Sequence, residues 1–425
     1  MRRLCLAATG TLLLGVWAFA ELGDTLAPPP SHPAIGYFNY VKRPLRDPVS
    51  VLSRKLKQGT VSLRFDERAG YLRSVLDALD VPIESQMAVF SKTSQQLERI
   101  DPKNPRTIFF NDSVAVAWVR GGFMELASLE PEQGVIFYML AQDRNARPEF
   151  VRRDDCLRCH LSEVTLGVPG MMIRSRYTAA DGNPRLVLGG YATDHRSPLD
   201  ERWGGWYVTG SAGQARHMGN AIVTDDEHPE SMISEQTLHR ISLEKYFETG
   251  AYLSPYSDVA ALMVFNHQMR MINLITRLGW ETRAALHDRR RDLDAQLRSS
   301  ARELVDYLLF VDEAPLAGKV QGVSGFAERF AARGPFDAAG RSLRALDLEK
   351  RLLRYPASYM IYSEAFDSLP AQARTAVYER MWRVLSGEET GPRYARLTLR
   401  DRQNVVEILR QTKPGLPPYF QPVVR

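Results

Sequence analysis

Cysteine is scarce in this chain of 425 residues: there are three, Cys5, Cys156 and Cys159. So few thiols exclude a scaffold stapled by many disulfides. An excess of charge of one sign is also missing. Lys and Arg number 55 against 50 Asp and Glu, a formal net charge of +5. That excludes the concentrated basic face of a dedicated nucleic-acid binder, and no nucleic-acid partner is expected. Past the first twenty residues no apolar run approaches the roughly 20 residues that a membrane-spanning helix needs, so no integral span is expected in the mature chain. Fixed-period repeats and low-complexity runs are absent as well. What is present is a hydrophobic fraction of 44%, enough for a real core, over a length that suggests about two to three domains.

The N-terminus has a three-part order. Arg2 and Arg3 precede an apolar run from Leu4 to Trp17, and Ala18-Phe19-Ala20 stands before the acidic Glu21. This is the pattern of a secretory signal peptide over residues 1–20, with an uncleaved anchor as the alternative. Cleavage removes Cys5 and places the mature chain in the periplasm or another exported compartment.

Four regions are expected. After the signal peptide, residues 21–62 hold Pro28-Pro29-Pro30, Pro33, Pro44 and Pro48 and read as an extended arm. Residues 63–253 open with a short amphipathic helix within Phe65 to Asp80. They continue with apolar runs at Thr107–Phe110, Val114–Val119, Val135–Leu140, Met172–Tyr177, Leu186–Tyr191 and Trp206–Thr209, separated by Asn, Asp, Gly and Pro. These are strand signals, and they predict an antiparallel sheet with long loops. Residues 254–425 show helical periodicity at 258–278, 281–311, 341–353, 370–385 and 399–411. Strands in one block and helices in the next predict an α+β fold, a sheet-bearing region followed by a mostly helical one.

The two remaining cysteines lie in Asp155-Cys156-Leu157-Arg158-Cys159-His160. This is C-x-x-C-H, the attachment pattern of c-type haem. Two thiols three positions apart can form thioethers to the two vinyl groups on one porphyrin edge, and the adjoining imidazole can reach the iron. A redox dithiol also uses C-x-x-C, but it usually follows a strand in a βαβ unit, which is not seen here. A zinc site needs further ligands, and none pairs with the motif at zinc-like spacing. The segment resembles the haem-binding segment of the c-type cytochromes, although the small cytochrome domain is helical on both sides of its motif. Thr193-Asp-His-Arg-Ser-Pro198, Glu201-Arg-Trp-Gly-Gly-Trp-Tyr-Val-Thr-Gly210 and Phe265-Asn-His-Gln268 extend the likeness. They resemble a group of exported bacterial monohaem c proteins with no assigned activity. The resemblance implies one covalent haem c and export.

The second axial ligand is open to several residues. Met218, beside Gly219 in a downstream loop, is the first candidate for a Met ligand, with Met171 and Met172 as weaker ones. His267, on the apolar face of a helix, and His195, in a loop, are alternatives, each equally readable as a hydrogen-bonded structural histidine. Arg202 and Trp203 could pair with a propionate and pack on the porphyrin, or belong to a hairpin core. His217, His228, His239 and His287 read as surface residues. The expected function is one-electron transfer with a redox partner protein. The alternatives are a haem enzyme with an open distal position, of peroxidase or oxidase type, and a haem-based sensor or binding module.

Overall fold

The computed structural model describes residues 40 and 42–424, apart from the side chains of Glu235 and Gln236. The expected signal peptide, Cys5 and residues 21–39 and 41 of the expected arm lie outside those residues. Within the expected extended arm, Pro48–Lys57 is a helix, α1. Asp47 caps it by accepting from the amides of Val49 and Ser50, and Pro48 occupies the first turn, where its missing N–H costs nothing. The next helix is α2, Leu72–Ala78.

The sheet is antiparallel throughout. Its strands are β1 Met87–Val89, β2 Arg106–Phe110, β3 Val114–Trp118, β4 Met124–Glu130, β5 Gly134–Leu140 and β6 Phe150–Arg152, closed at the far edge by β9, Trp206–Tyr207. The order is β6-β5-β4-β3-β2-β1-β9. A two-stranded ladder, β7 Arg174–Ser175 with β8 Tyr191–Ala192, stands apart from it. The fold is thus α+β, as the pattern of residues implies.

Side-chain alternation separates the two faces of the sheet. Ser128 and Tyr138 belong to one face. Val49 N–H donates to Ser128 Oγ at 3.3 Å, and Tyr138 O–H donates to Asp47 Oδ2 at 2.8 Å, so α1 covers that side. Phe110, Ala115, Ala127 and Phe137 are successive cross-strand partners on the other face. Phe110 packs on Phe265, with ring centroids 4.8 Å apart, and Phe137 packs on His160 at 4.7 Å. This second face therefore carries both the long helix and the C-x-x-C-H segment.

The long helix, Val259–His287, is buried at 22 of its 29 residues. A helix covered on nearly every side is a core element, not a surface one. Its polar residues serve as docking posts for loops. Asp258 caps it and is fully buried, accepting from Ala260 and Ala261 on one oxygen and from Val323 and Ser324 on the other. Further helices cover Leu293–Leu308, Phe326–Ala331, Ala371–Ser386 and Leu399–Thr412. The stretch 341–353, expected to be helical, is irregular. Asp347 accepts from the amides of Glu349 and Lys350, which diverts the backbone into a turn, and Leu346 bridges Leu353. One apolar cluster runs from Tyr40 to Val423, so strands and helices share a core. No helix among the described residues is long and apolar enough to cross a membrane.

Candidate haem-attachment site and a buried histidine pair

The C-x-x-C-H segment leaves the edge strand β6 and turns at once into a single helical turn, Leu157–His160. Two Arg–Asp clamps set that turn. Arg152 Nε donates to Asp154 at 2.7 Å. Arg153 grips both oxygens of Asp155, at 2.8 and 2.6 Å, and Gln95 donates to Asp155 at 2.9 Å. Those hydrogen bonds hold the Asp155 carboxyl down at about 2. The residue before Cys156 is therefore fixed by three hydrogen bonds from two side chains.

Cys156 is half-buried and Cys159 is exposed; both thiols are free. Burial, with the Asp155 charge adding to it, pushes the Cys156 thiol up to about 12. His160 is tied by its backbone and its ring to one residue. Gly170 N–H donates to the His160 carbonyl at 2.9 Å, and His160 Nδ1 lies 2.9 Å from the Gly170 carbonyl. A carbonyl only accepts, so Nδ1 carries the proton. Desolvation lowers the imidazole to about 4, so the ring is neutral and Nε2 presents a lone pair. That tautomer, fixed by a backbone carbonyl, is the one a metal-ligating histidine needs. Phe137, which packs on its ring, shares its sheet face with the half-buried Met139 and with Glu125, ion-paired to Arg106. Two free thiols and an imidazole lone pair on one helical turn are a donor set that fits covalent haem. The residues that would hold it are Cys156, Cys159 and His160.

The other expected ligands lie elsewhere. Met218 is buried, and its sulfur accepts from Ser175 Oγ at 3.4 Å. His195 and His267 are buried together with their Nδ1 atoms 2.7 Å apart, and His267 Nε2 lies 2.7 Å from Ser358 Oγ. Their rings stack on Tyr307 and Phe310. Ser358 Oγ also accepts from Met360 N–H. The proton order that leaves no buried N–H unpaired has His195 donating to His267 and His267 donating to Ser358. His195 Nε2 is then a bare, buried lone pair. Desolvation drives His195 well below its usual range and His267 to about 3. Arg202 is buried, and its guanidinium donates to the carbonyls of His195 and Ser197, each at 2.9 Å. Burial lowers its pKa to about 10. Trp203 is buried and donates from Nε1 to Asn266 Oδ1 at 2.8 Å.

The three segments beyond C-x-x-C-H that carried the sequence resemblance thus meet in space. Asn266 holds Trp203 and Thr193, His267 holds His195, and Arg202 closes the loop between them. Gly204 belongs to the same assembly. A Cβ there would sit 2.6 Å from the Arg176 carbonyl, so the glycine lets this loop press against the backbone just after β7. His217, expected at the surface, is fully buried with its ring edge-on to Trp203. His228, His239 and His287 are exposed. No strong sequence signal marked His217, since Arg216 precedes it and Gly219 follows two residues on. Asn273 was also missed; it brackets Met171 with both ends of its amide, at 3.1 and 2.7 Å, and so steadies the Gly170 anchor of His160.

Compared with known proteins, the chain matches no family model, no curated protein and no solved structure.

Proposed function

We propose that the chain is an exported monohaem c protein that carries single electrons through haem bound covalently at Cys156 and Cys159, with His160 as the proximal ligand. The observation that carries the reading is the His160 tautomer: Nδ1–H committed to the Gly170 carbonyl and Nε2 unprotonated. The haem would supply a one-electron Fe(III)/Fe(II) couple. The protein's part is to fix the imidazole, hold the thiols on one turn and keep the site at the surface, where Cys159 is exposed and a redox partner protein can approach.

Two observations weigh against the rival chemistries. A catalytic dithiol needs a thiolate near neutral pH, whereas Cys156 is held protonated by burial. A zinc site needs about four ligands, and among the described residues no group of three or more His, Cys, Asp or Glu side chains converges on one point.

The second reading, a haem protein with an open distal position, is favoured by one specific fact. Met218, His195 and His267 are all buried and engaged with other side chains. The test is a haem-stained denaturing gel of the exported protein, followed by the reduced spectrum with and without CO. Wild type is expected to stain, and C156A/C159A is expected to lose the stain completely. A stained double variant would remove the basis of the proposal. A spectrum indifferent to CO fits the electron carrier, and one that shifts fits the open site.

A further inference from the structure

The side chains of the attachment turn face different ways. Leu157 and Leu161, one turn apart, are buried and pin the turn to the core, and Leu161 N–H donates to the Leu157 carbonyl at 3.0 Å. At about 100° per residue, Cys159 falls on the side opposite those two leucines. It is exposed. Cys156 and His160, again one turn apart, share a flank of the turn. Both are half-buried, and Cys156 packs against the apolar core.

The clamps before the turn keep Cys156 in that place. Cys156 closes the tight turn Asp154–Cys156, and its Leu157 neighbour donates its N–H back to the Asp154 carbonyl. Asp154 is held by Arg152, and Asp155 by Arg153 and Gln95. Cys159 lies beyond this fixed stretch, next to the exposed Arg158. The two thiols therefore differ in access. One stands toward solvent, and the other is turned inward directly after a clamped residue.

We infer that the folded chain takes its covalent haem in a set order, with the first thioether at Cys159 and the second at Cys156 once the Arg153–Asp155 clamp opens. This rests on the reading of Cys156-x-x-Cys159-His160 as the attachment site. In each step a thiol adds across one vinyl group: sulfur bonds to one carbon, and the thiol hydrogen ends on the other. The vinyl double bond is spent, no electrons are gained or lost overall, and no oxidant is needed. The first bond tethers the porphyrin to the turn. The second is then intramolecular, and it waits on the clamp instead of on encounter.

The experiment follows the reduced, folded, full-length chain as it meets ferrous haem, with peptide mass spectrometry reading which sulfur carries the adduct. Iodoacetamide in place of haem reads access alone. Cys159 is expected to acquire haem, and to be alkylated, at least about tenfold faster than Cys156, whose reaction needs a local opening. C156A should keep the fast bond, and C159A should lose it. R153Q releases Asp155 and should bring the two rates together, as should urea, which removes the turn altogether. Haem on both sulfurs at one rate in the folded chain, or on Cys156 first, would overturn the order and leave the attachment site standing. An unchanged Cys156 rate in R153Q would overturn the part given to the clamp. No covalent haem on either sulfur, folded or unfolded, would overturn the attachment reading itself.

Discussion

His160 and the His195–His267 pair show how the same side chain is used in two ways within one core. All three imidazoles are held neutral, chiefly by desolvation. His160 spends one nitrogen on a backbone carbonyl and stands half-exposed with the other unprotonated. His195 and His267 spend their nitrogens on each other and on Ser358, and aromatic rings seal them in. A histidine bonded to a backbone carbonyl at a surface turn is poised to bind something. A histidine bonded to a histidine inside an aromatic stack is poised to hold the fold together. The helix that carries His267 also carries Asn273, six residues and about 9 Å further along its axis, and Asn273 fixes the loop that anchors His160. The two regions differ in role but share a beam.

The largest effect that separates them comes from removing one ring of the pair. H267A takes away a fully buried side chain and the partners of His195 and Ser358, and is expected to cost about 3–5 kcal/mol of stability. Haem attachment in the molecules that do fold should be unchanged. Denaturant unfolding alongside haem staining checks both halves. Loss of stain in folded protein would erase the distinction between a structural and a binding histidine.

Acid comes next. The pair has folded-state values depressed below the unfolded value of about 6.5, so the unfolded chain binds more protons. Their contribution is complete above about pH 6.5 and is lost as pH falls below it, at up to about 1.4 kcal/mol per pH unit for each histidine until the folded-state value is reached. The denaturation midpoint at pH 5.5 should therefore lie below that at pH 7.5. A midpoint that does not move would mean that the pair is accessible to protons in the folded state.

The smallest effect tests the shared beam. N273A removes two hydrogen bonds to Met171 and should cost about 1–3 kcal/mol. With covalent haem retained, it should also change the midpoint potential, because the Gly170 carbonyl sets the orientation of His160. An unchanged potential would show the two regions to be independent.

Much of the fold was legible from residue pattern. β2, β3 and β5 match their apolar runs, and the Thr398 cap opens the helix Leu399–Thr412 with Asp401 answering it. β4, with Glu125 and Ser128 among its residues, and β6 lack a clear apolar run, and β1 is apolar but only three residues long; none of the three was expected. The helix expected at 341–353 failed because a local Asp turn outcompeted periodicity.

The sequence alone determined the chemistry on offer. Two thiols three apart with an adjoining imidazole put three donors on one short stretch whatever surrounds them, because the spacing is covalent and local. Tertiary structure decided which nitrogen of His160 carries the proton, since that depends on a carbonyl ten residues away brought back by a loop. It also decided that Met218, His195, His267 and Arg202 are occupied in the core. Occupancy is a property of neighbours, and neighbours across 70 or 90 residues are set by packing, not by spacing along the chain.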